Sequence, residues 1–150
     1  MVELLAELIK EGAYVNEKDH FGRTPLDRAR NEEVKAALRE HGAKHSLFHA
    51  AFSEGGMVEL VAELIKEGAD VNEKNQFGKT PLDWARNEEV KAALREHGAK
   101  HSLFHAAEEG ILELVAELIK EGADANEKDY FGDNPLAYAT NEAKAVFAGH

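Results

Sequence analysis

The residues from Arg30 to Ala51, RNEEVKAALREHGAKHSLFHAA, return without a change from Arg86 to Ala107, so the chain is built by copying one structural unit along its length. The copy extends beyond that block. LIKEGAYVNEKDHFGRTPLDRA at 8–29 returns as LIKEGADVNEKNQFGKTPLDWA and again, degraded, as LIKEGADANEKDYFGDNPLAYA. His45 to His101 spans 101 − 45 = 56 residues and Ala62 to Ala116 spans 116 − 62 = 54, the difference being a two-residue insertion near Phe52 and Ser53. A fixed period of this size means a stacked array in which each unit buries its apolar face against its neighbours.

Composition narrows the function classes. The 150 residues are 43% hydrophobic, enough to bury a core if the array is continuous. With 18 basic and 29 acidic residues the formal charge is −11 and no basic run stands out, which argues against a nucleic-acid partner and against an anionic membrane surface. No apolar stretch approaches the roughly 20 residues that span a bilayer, and no secretory signal opens the chain. The expectation is a soluble protein. The absence of cysteine removes disulfides, thiolate metal sites and a cysteine nucleophile, and fits a cytoplasmic, intracellular or recombinant setting.

Helix signals recur with the copies. Leu5, Leu8 and Ile9 lie at helical spacing, as do Leu60, Val61, Leu64 and Ile65, and Leu114, Val115, Leu118 and Ile119. Gly12, Gly68 and Gly122 are expected helix stops. An Asn-, Asp- and Gly-rich stretch follows each, turn chemistry that predicts a projecting hairpin. Thr24-Pro25 and Thr80-Pro81 then supply an N-cap and a proline at the first helical position, and Asn31 and Asn87 cap a second short helix closing at Gly42 or Gly98.

FGKTPLDWA and LVAELIKEGADVNEKN together resemble the ankyrin repeat, with its TPLH-type helix start, helix pair and GADVN hairpin. The resemblance covers nearly the whole chain. It implies an all-α, ankyrin-like solenoid of stacked helix pairs with projecting β-hairpin loops. The repeats would be 1–19 (truncated), 20–44, 45–75, 76–100, 101–129 and 130–150 (truncated) in a single domain 1–150. Short and full repeats alternate, because 20–44 and 76–100 lack the hairpin that should follow Gly42-Ala43 or Gly98-Ala99. Short repeats of that form resemble C-terminal caps, so a capped block has been concatenated, a pattern that also fits a designed or engineered chain.

The first repeat lacks its opening helix, which leaves Leu4, Leu5, Leu8 and Ile9 as an apolar stripe. Two outcomes follow. The stripe contacts another chain, giving a homodimer through the uncapped N-terminus, or the end frays or packs inward.

His45 and His49 form an i,i+4 pair repeated by His101 and His105, a spacing that can place two imidazoles on one metal ion. Two ligands alone make a weak site, and no HExxH motif accompanies them, so the sequence assigns no metal and no cofactor. Under the ankyrin alignment His45 and His101 take the helix-opening Thr position, while Asp27 and Asp83 take the family's His position one repeat earlier. Hydrogen bonds between Asp27 and His45 and between Asp83 and His101 would then replace the family's Thr and His network.

Partner recognition is expected where otherwise identical copies differ. Stacking in register would align Arg28, His49, Trp84, His105 and Tyr138 as a stripe, suited to protein binding or to burial between neighbouring helices. By the resemblance, the hairpin tips His20, Phe21, Arg23, Gln76, Phe77, Lys79, Tyr130, Phe131 and Asp133 project toward a target. Alternatively the phenylalanines staple their own turns and only their neighbours face outward. No phosphate loop, GxSxG elbow or nucleophile with a base is present, so no catalytic residues are assigned. Two functions remain: a non-enzymatic protein-binding scaffold for an unidentified protein partner, or a designed structural repeat without a natural ligand, self-associating through incomplete ends.

Overall fold

The computed structural model describes residues 2–53 and 57–148. Among them the chain is all helical, in the order α1 (Val2–Lys10), α2 (Pro25–Arg28), α3 (Glu32–Glu40), α4 (Leu47–Phe52), α5 (Val58–Lys66), α6 (Pro81–Trp84), α7 (Glu88–Glu96), α8 (Leu103–Glu109), α9 (Leu112–Lys120), α10 (Pro135–Tyr138) and α11 (Asn141–Phe147). The residues that precede each helix explain where it starts. Asn31 and Asn87 each accept the N–H of the residue three further on at 2.8 Å, satisfying one orphan amide of the first turn. α2 opens with a full capping box, Asp27 N–H to Thr24 Oγ and Thr24 N–H to Asp27 Oδ2. The long helices stop where expected, with Gly12, Gly68 and Gly122 at φ of 104°, 103° and 102°.

α4 and α8 start one residue later than the alignment placed them. Ser46 and Ser102 are the N-caps, each accepting the N–H of His49 or His105 at 3.0 Å. A serine hydroxyl can curl back onto that amide and an imidazole cannot, so His45 and His101 stand just outside their helices. This shift moves every residue of α4 and α8 by one position relative to the expected register.

Helix α1 packs on α3, α5 on α7 and α9 on α11, while α4 lies against α5 and α6, and α8 against α9 and α10. The core is divided into three. One cluster holds Leu26, Leu38 and Ala43; a second runs from Leu47 through Val61, Leu82 and Leu94 to Ala99; a third runs from Leu103 through Val115 to Phe147. Each fully buried Leu or Val in them contributes about 1.5–3 kcal/mol relative to exposure. The cluster boundaries fall at the same place in the repeated sequence, just before His45-Ser46-Leu47 and His101-Ser102-Leu103. These two places are the joints of the array.

The segments expected as β-hairpins are tight turns, with no strand among the described residues. In the first, Asp19 N–H donates to Arg23 O and Gly22 N–H to Asp19 O, while Asp19 Oδ1 accepts the amides of Phe21 and Arg23. Neighbouring turns are tied by single backbone bonds, Gln76 N–H to His20 O at 2.7 Å and Tyr130 N–H to Gln76 O at 2.9 Å. One bond per pair of turns links the turns without building a strand ladder.

At the N-terminal end Leu4 and Leu8 are exposed, whereas Leu5 and Ile9 are half-buried. Leu8 is 45% exposed while its counterparts Leu64 and Leu118 are 4% and 5% exposed. The difference has a plain cause: α4 lies on α5 and α8 on α9, and no such helix lies on α1 among the described residues.

Candidate functional site

The joints are built around a buried carboxylate. Asp27, whose side chain is fully buried, uses Oδ2 to accept Thr24 N–H at 2.9 Å and Ser46 Oγ–H at 2.6 Å. Its Oδ1 lies 2.7 Å from Nδ1 of His45, so the bond anticipated between those residues is present. A carboxylate only accepts, so that Nδ1 carries the proton. The second joint repeats this with Asp83, at 2.9 Å from Thr80 N, 2.6 Å from Ser102 Oγ and 2.7 Å from His101 Nδ1. In the third copy Ala137 stands where Asp27 and Asp83 stand, three residues after its N-cap Asn134.

The register shift brings His49 and His105 to the same carboxylates. His49 Nδ1 lies 3.7 Å from Asp27 Oδ1 and His105 Nδ1 4.0 Å from Asp83 Oδ1. His45 and His49 stack with ring centroids 4.3 Å apart, and His101 and His105 at 4.6 Å. Each joint therefore gathers three metal-capable donors, where the sequence counted two. Burial raises the Asp27 carboxyl, but hydrogen bonds from His45, Ser46 and the Thr24 amide outweigh it and hold its pKa below the usual carboxylate value. Burial lowers the His49 and His105 imidazoles, more than the charges of Asp27 and Asp83 raise them.

The expected five-membered stripe is consequently broken. Counting from the N-caps, the residues equivalent to Arg28, Trp84 and Tyr138 are Ala50 and Ala106, both fully buried, and not His49 and His105. What survives is a pairing between each remaining stripe residue and the turn beside it. Arg28 reaches Asp19 Oδ2 at 3.4 Å and Tyr138 Oη donates to Asp129 Oδ2 at 2.6 Å. At the middle copy Trp84 takes the place of Arg28 and Tyr138, and Asn75, which stands where Asp19 and Asp129 stand, has a buried Nδ2 with no hydrogen-bond partner. The bond to Asp129, together with burial and the charges of Asp129 and Asp133, raises the Tyr138 phenol well above its ordinary pKa.

Trp84 and Tyr138 flank a groove of about 300 Å³, floored by Phe104 and completed by Phe77, Lys79 and Glu108. Lys79 Nζ and Glu108 pair across it at 2.5 Å. Phe104 meets Tyr138 edge-on at 5.9 Å, and Phe48 meets Trp84 in the same way at 5.9 Å. At the preceding joint Phe52 stands where Glu108 stands in the copy, and its ring packs on Trp84 at 5.4 Å, with the Arg86 guanidinium 4.1 Å from its centroid.

The turn tips line one edge. Phe21, Phe77 and Phe131 form a ladder with centroid spacings of 5.8 and 6.0 Å, so each phenylalanine packs on a neighbouring turn's ring, while Tyr130 also meets Phe131 edge-on within its own turn. His20 reaches Tyr130 at 4.3 Å. Arg23 lies over the Phe21 ring, while Gln76 and Lys79 are half-buried and Tyr130, Phe131 and Asp133 are exposed. No residue pattern in the sequence marked the ladder, since three identical phenylalanines at repeat spacing look like three separate turns.

Residues 21–76 match the family model described as ankyrin repeat. The chain is 31% identical over 99 residues to the rat cyclin-dependent kinase 4 inhibitor B, covering 58% of this chain and 76% of that one. The human form is 29% identical over 131 residues, 79% of this chain and 94% of that protein. Ankyrin repeat domain-containing protein SAT10 of Stachybotrys chartarum is 28% identical over 158 residues, 92% of this chain but 8% of that protein's length. The crystal structure of the ankyrin repeat domain of Bcl-3 superposes with a TM-score of 0.44 at 24% identity, covering 99% of this chain and 78% of that one. No helix among the described residues is long and apolar enough to cross a membrane.

Proposed function

Because the chain belongs to the ankyrin-repeat family, we propose that it is a non-enzymatic protein-binding scaffold that acts in the cytoplasm. The observation that carries this reading is the groove between Trp84 and Tyr138, an apolar recess at positions where the copies differ, opening beside the aromatic turn tips. Its occupant is an apolar or aromatic side chain of a protein whose surrounding surface is basic. Aromatic anchors in a partly desolvated recess supply most of the energy of such contacts, and the chain's charge of −11 favours a basic approach. His20, Phe21, Arg23, Gln76, Phe77, Lys79, Tyr130, Phe131 and Asp133 extend the surface along the turn edge, and Arg28 borders it.

Affinity capture followed by mass spectrometry tests this, with the wild-type chain and a Trp84→Ala/Tyr130→Ala variant, both checked for helicity, as baits. A basic protein retained by the first, lost by the second and released by salt supports the reading. Equal retention by both baits overturns the assignment of the surface. The relatives named as kinase inhibitors supply the family precedent for protein targets and no target for this chain.

A second reading rests on the exposure of Leu4 and Leu8, at 53% and 45%. Self-association through α1 would cover them. Sedimentation should then show a concentration-dependent dimer that Leu8→Glu abolishes, and a monomer at every concentration would end this reading.

A further inference from the structure

We propose that each joint of the array is a binding site for a divalent transition metal of the zinc class, with Asp27, His45 and His49 as ligands at the first joint and Asp83, His101 and His105 at the second. The donor atoms of each triad lie within 4.8 Å of one another. A tetrahedral zinc with bonds of about 2.0–2.1 Å places its ligand atoms about 3.3 Å apart. The separations from the carboxylate oxygen to the two imidazole nitrogens are 2.7 and 3.7 Å at one joint and 2.7 and 4.0 Å at the other, bracketing that value. An ion at that spacing needs the shorter separation to open by about 0.6 Å and the longer one to close by about 0.4–0.7 Å.

The division of labour within the carboxylate supports this use. Oδ2 is engaged by the Thr24 or Thr80 amide and by the Ser46 or Ser102 hydroxyl, so it fixes the group in place. Oδ1 accepts the Ser46 or Ser102 amide at 3.2 Å and faces both imidazoles. The rings stack nearly parallel, at interplanar angles of 8° and 13°, with both Nδ1 edges turned to that one oxygen. Oxygen and imidazole nitrogen suit zinc, nickel or copper, and no thiolate is available to redirect the choice.

Binding replaces the Nδ1–H···Oδ1 contact of His45 or His101 by metal bonds to both atoms. The Nδ1 proton is displaced, to Nε2 of the same ring or to solvent, which these side chains reach at 19% exposure. A fourth coordination position remains for water. The ion would connect α2 to α4 and α6 to α8, pinning one apolar core to the next. This goes beyond the protein-binding surface, which lies at the groove and the turn tips.

Calorimetric titration of the full chain with Zn²⁺, after removal of metals with a chelator, tests the proposal. The expected result is binding of two ions per chain. His49→Ala and His105→Ala should each remove one, and the double variant both, while helicity is retained because the Asp–His45 and Asp–His101 bonds remain. Loss of a ligand should weaken its site by more than the roughly 10–100-fold that loss of a supporting hydrogen bond costs. Co²⁺ in place of Zn²⁺ should give visible absorption of tetrahedral intensity that disappears with the same substitutions. No bound ion in the wild-type chain, or undiminished binding by the double variant through His20, His41, His97 or His150, overturns it.

Discussion

Gly22, Gly78 and Gly132 hold the same place in three turns and share the left-handed conformation, with φ of 82°, 73° and 83°. They differ in what an added methyl would meet. At Gly78 a Cβ would lie 2.4 and 2.5 Å from ring carbons of Phe104, and at Gly22 it would lie 2.6 and 2.8 Å from Phe48, while at Gly132 nothing stands within 4 Å. Phe48 and Phe104 are each 1% exposed, so neither ring can swing away without opening the joint. Alanine at Gly132 therefore costs only the left-handed backbone, about 1–2 kcal/mol. At Gly78 and Gly22 overpacking adds about 1–3 kcal/mol, for a total of roughly 2–5 kcal/mol. Urea unfolding followed by far-UV circular dichroism and by Trp84 fluorescence measures all three, comparing midpoints at constant m-value. The ordering should be Gly78→Ala and Gly22→Ala well below Gly132→Ala, and three equal losses would refute the claim that the aromatic rings seal the joints against the turns.

The remaining expectations use the same assay. Asp83→Ala strands the Thr80 amide, the Ser102 hydroxyl and the His101 ring, and should cost about 2–4 kcal/mol, from a lost cap and at least one unsatisfied buried donor; an unchanged midpoint would show the node to be ornamental. In metal-free buffer, stability should fall as pH drops below 6.5, because His49 and His105 are held below that ordinary value and the unfolded chain binds their protons first. Their contribution is complete above 6.5 and is lost as pH falls through the folded values, so a His49→Gln/His105→Gln variant should show a flatter profile between pH 7 and 5. Trp84→Tyr combined with Asn75→Asp rebuilds the pair seen at Tyr138 and Asp129, and a double-mutant cycle should return a favourable coupling of about 1 kcal/mol.

The sequence showed the array, the helix stops and the Asp–His bonds, because each rests on a local rule: exact copying, glycine at positive φ, an acceptor opposite a donor. It misplaced the starts of α4 and α8 by one residue. Matching the family's opening Thr to the first polar residue chose His45 and His101, although only the serines beside them can cap. Ser46 three residues before His49, and Ser102 three before His105, was the available signal. That single slip put His49 and His105 on the recognition stripe and hid them as neighbours of the buried aspartates. The phenylalanine ladder and the tripartite core were out of reach, since both depend on how one copy sits on the next.

The apolar clusters also set the grain at which this molecule can be lengthened or shortened. The middle cluster unites four helices, from Leu47 to Ala99, so a splice that inserts or removes a single helix pair cuts through it. A splice before His45 or His101 severs mainly polar and aromatic contacts, of which the next copy restores the Asp–His–Ser node. The cassette that can be traded is thus the span from one joint to the next, and the unchanged block from Arg30 to Ala51 carries the His45, Ser46 and His49 half of the polar node wherever it is pasted.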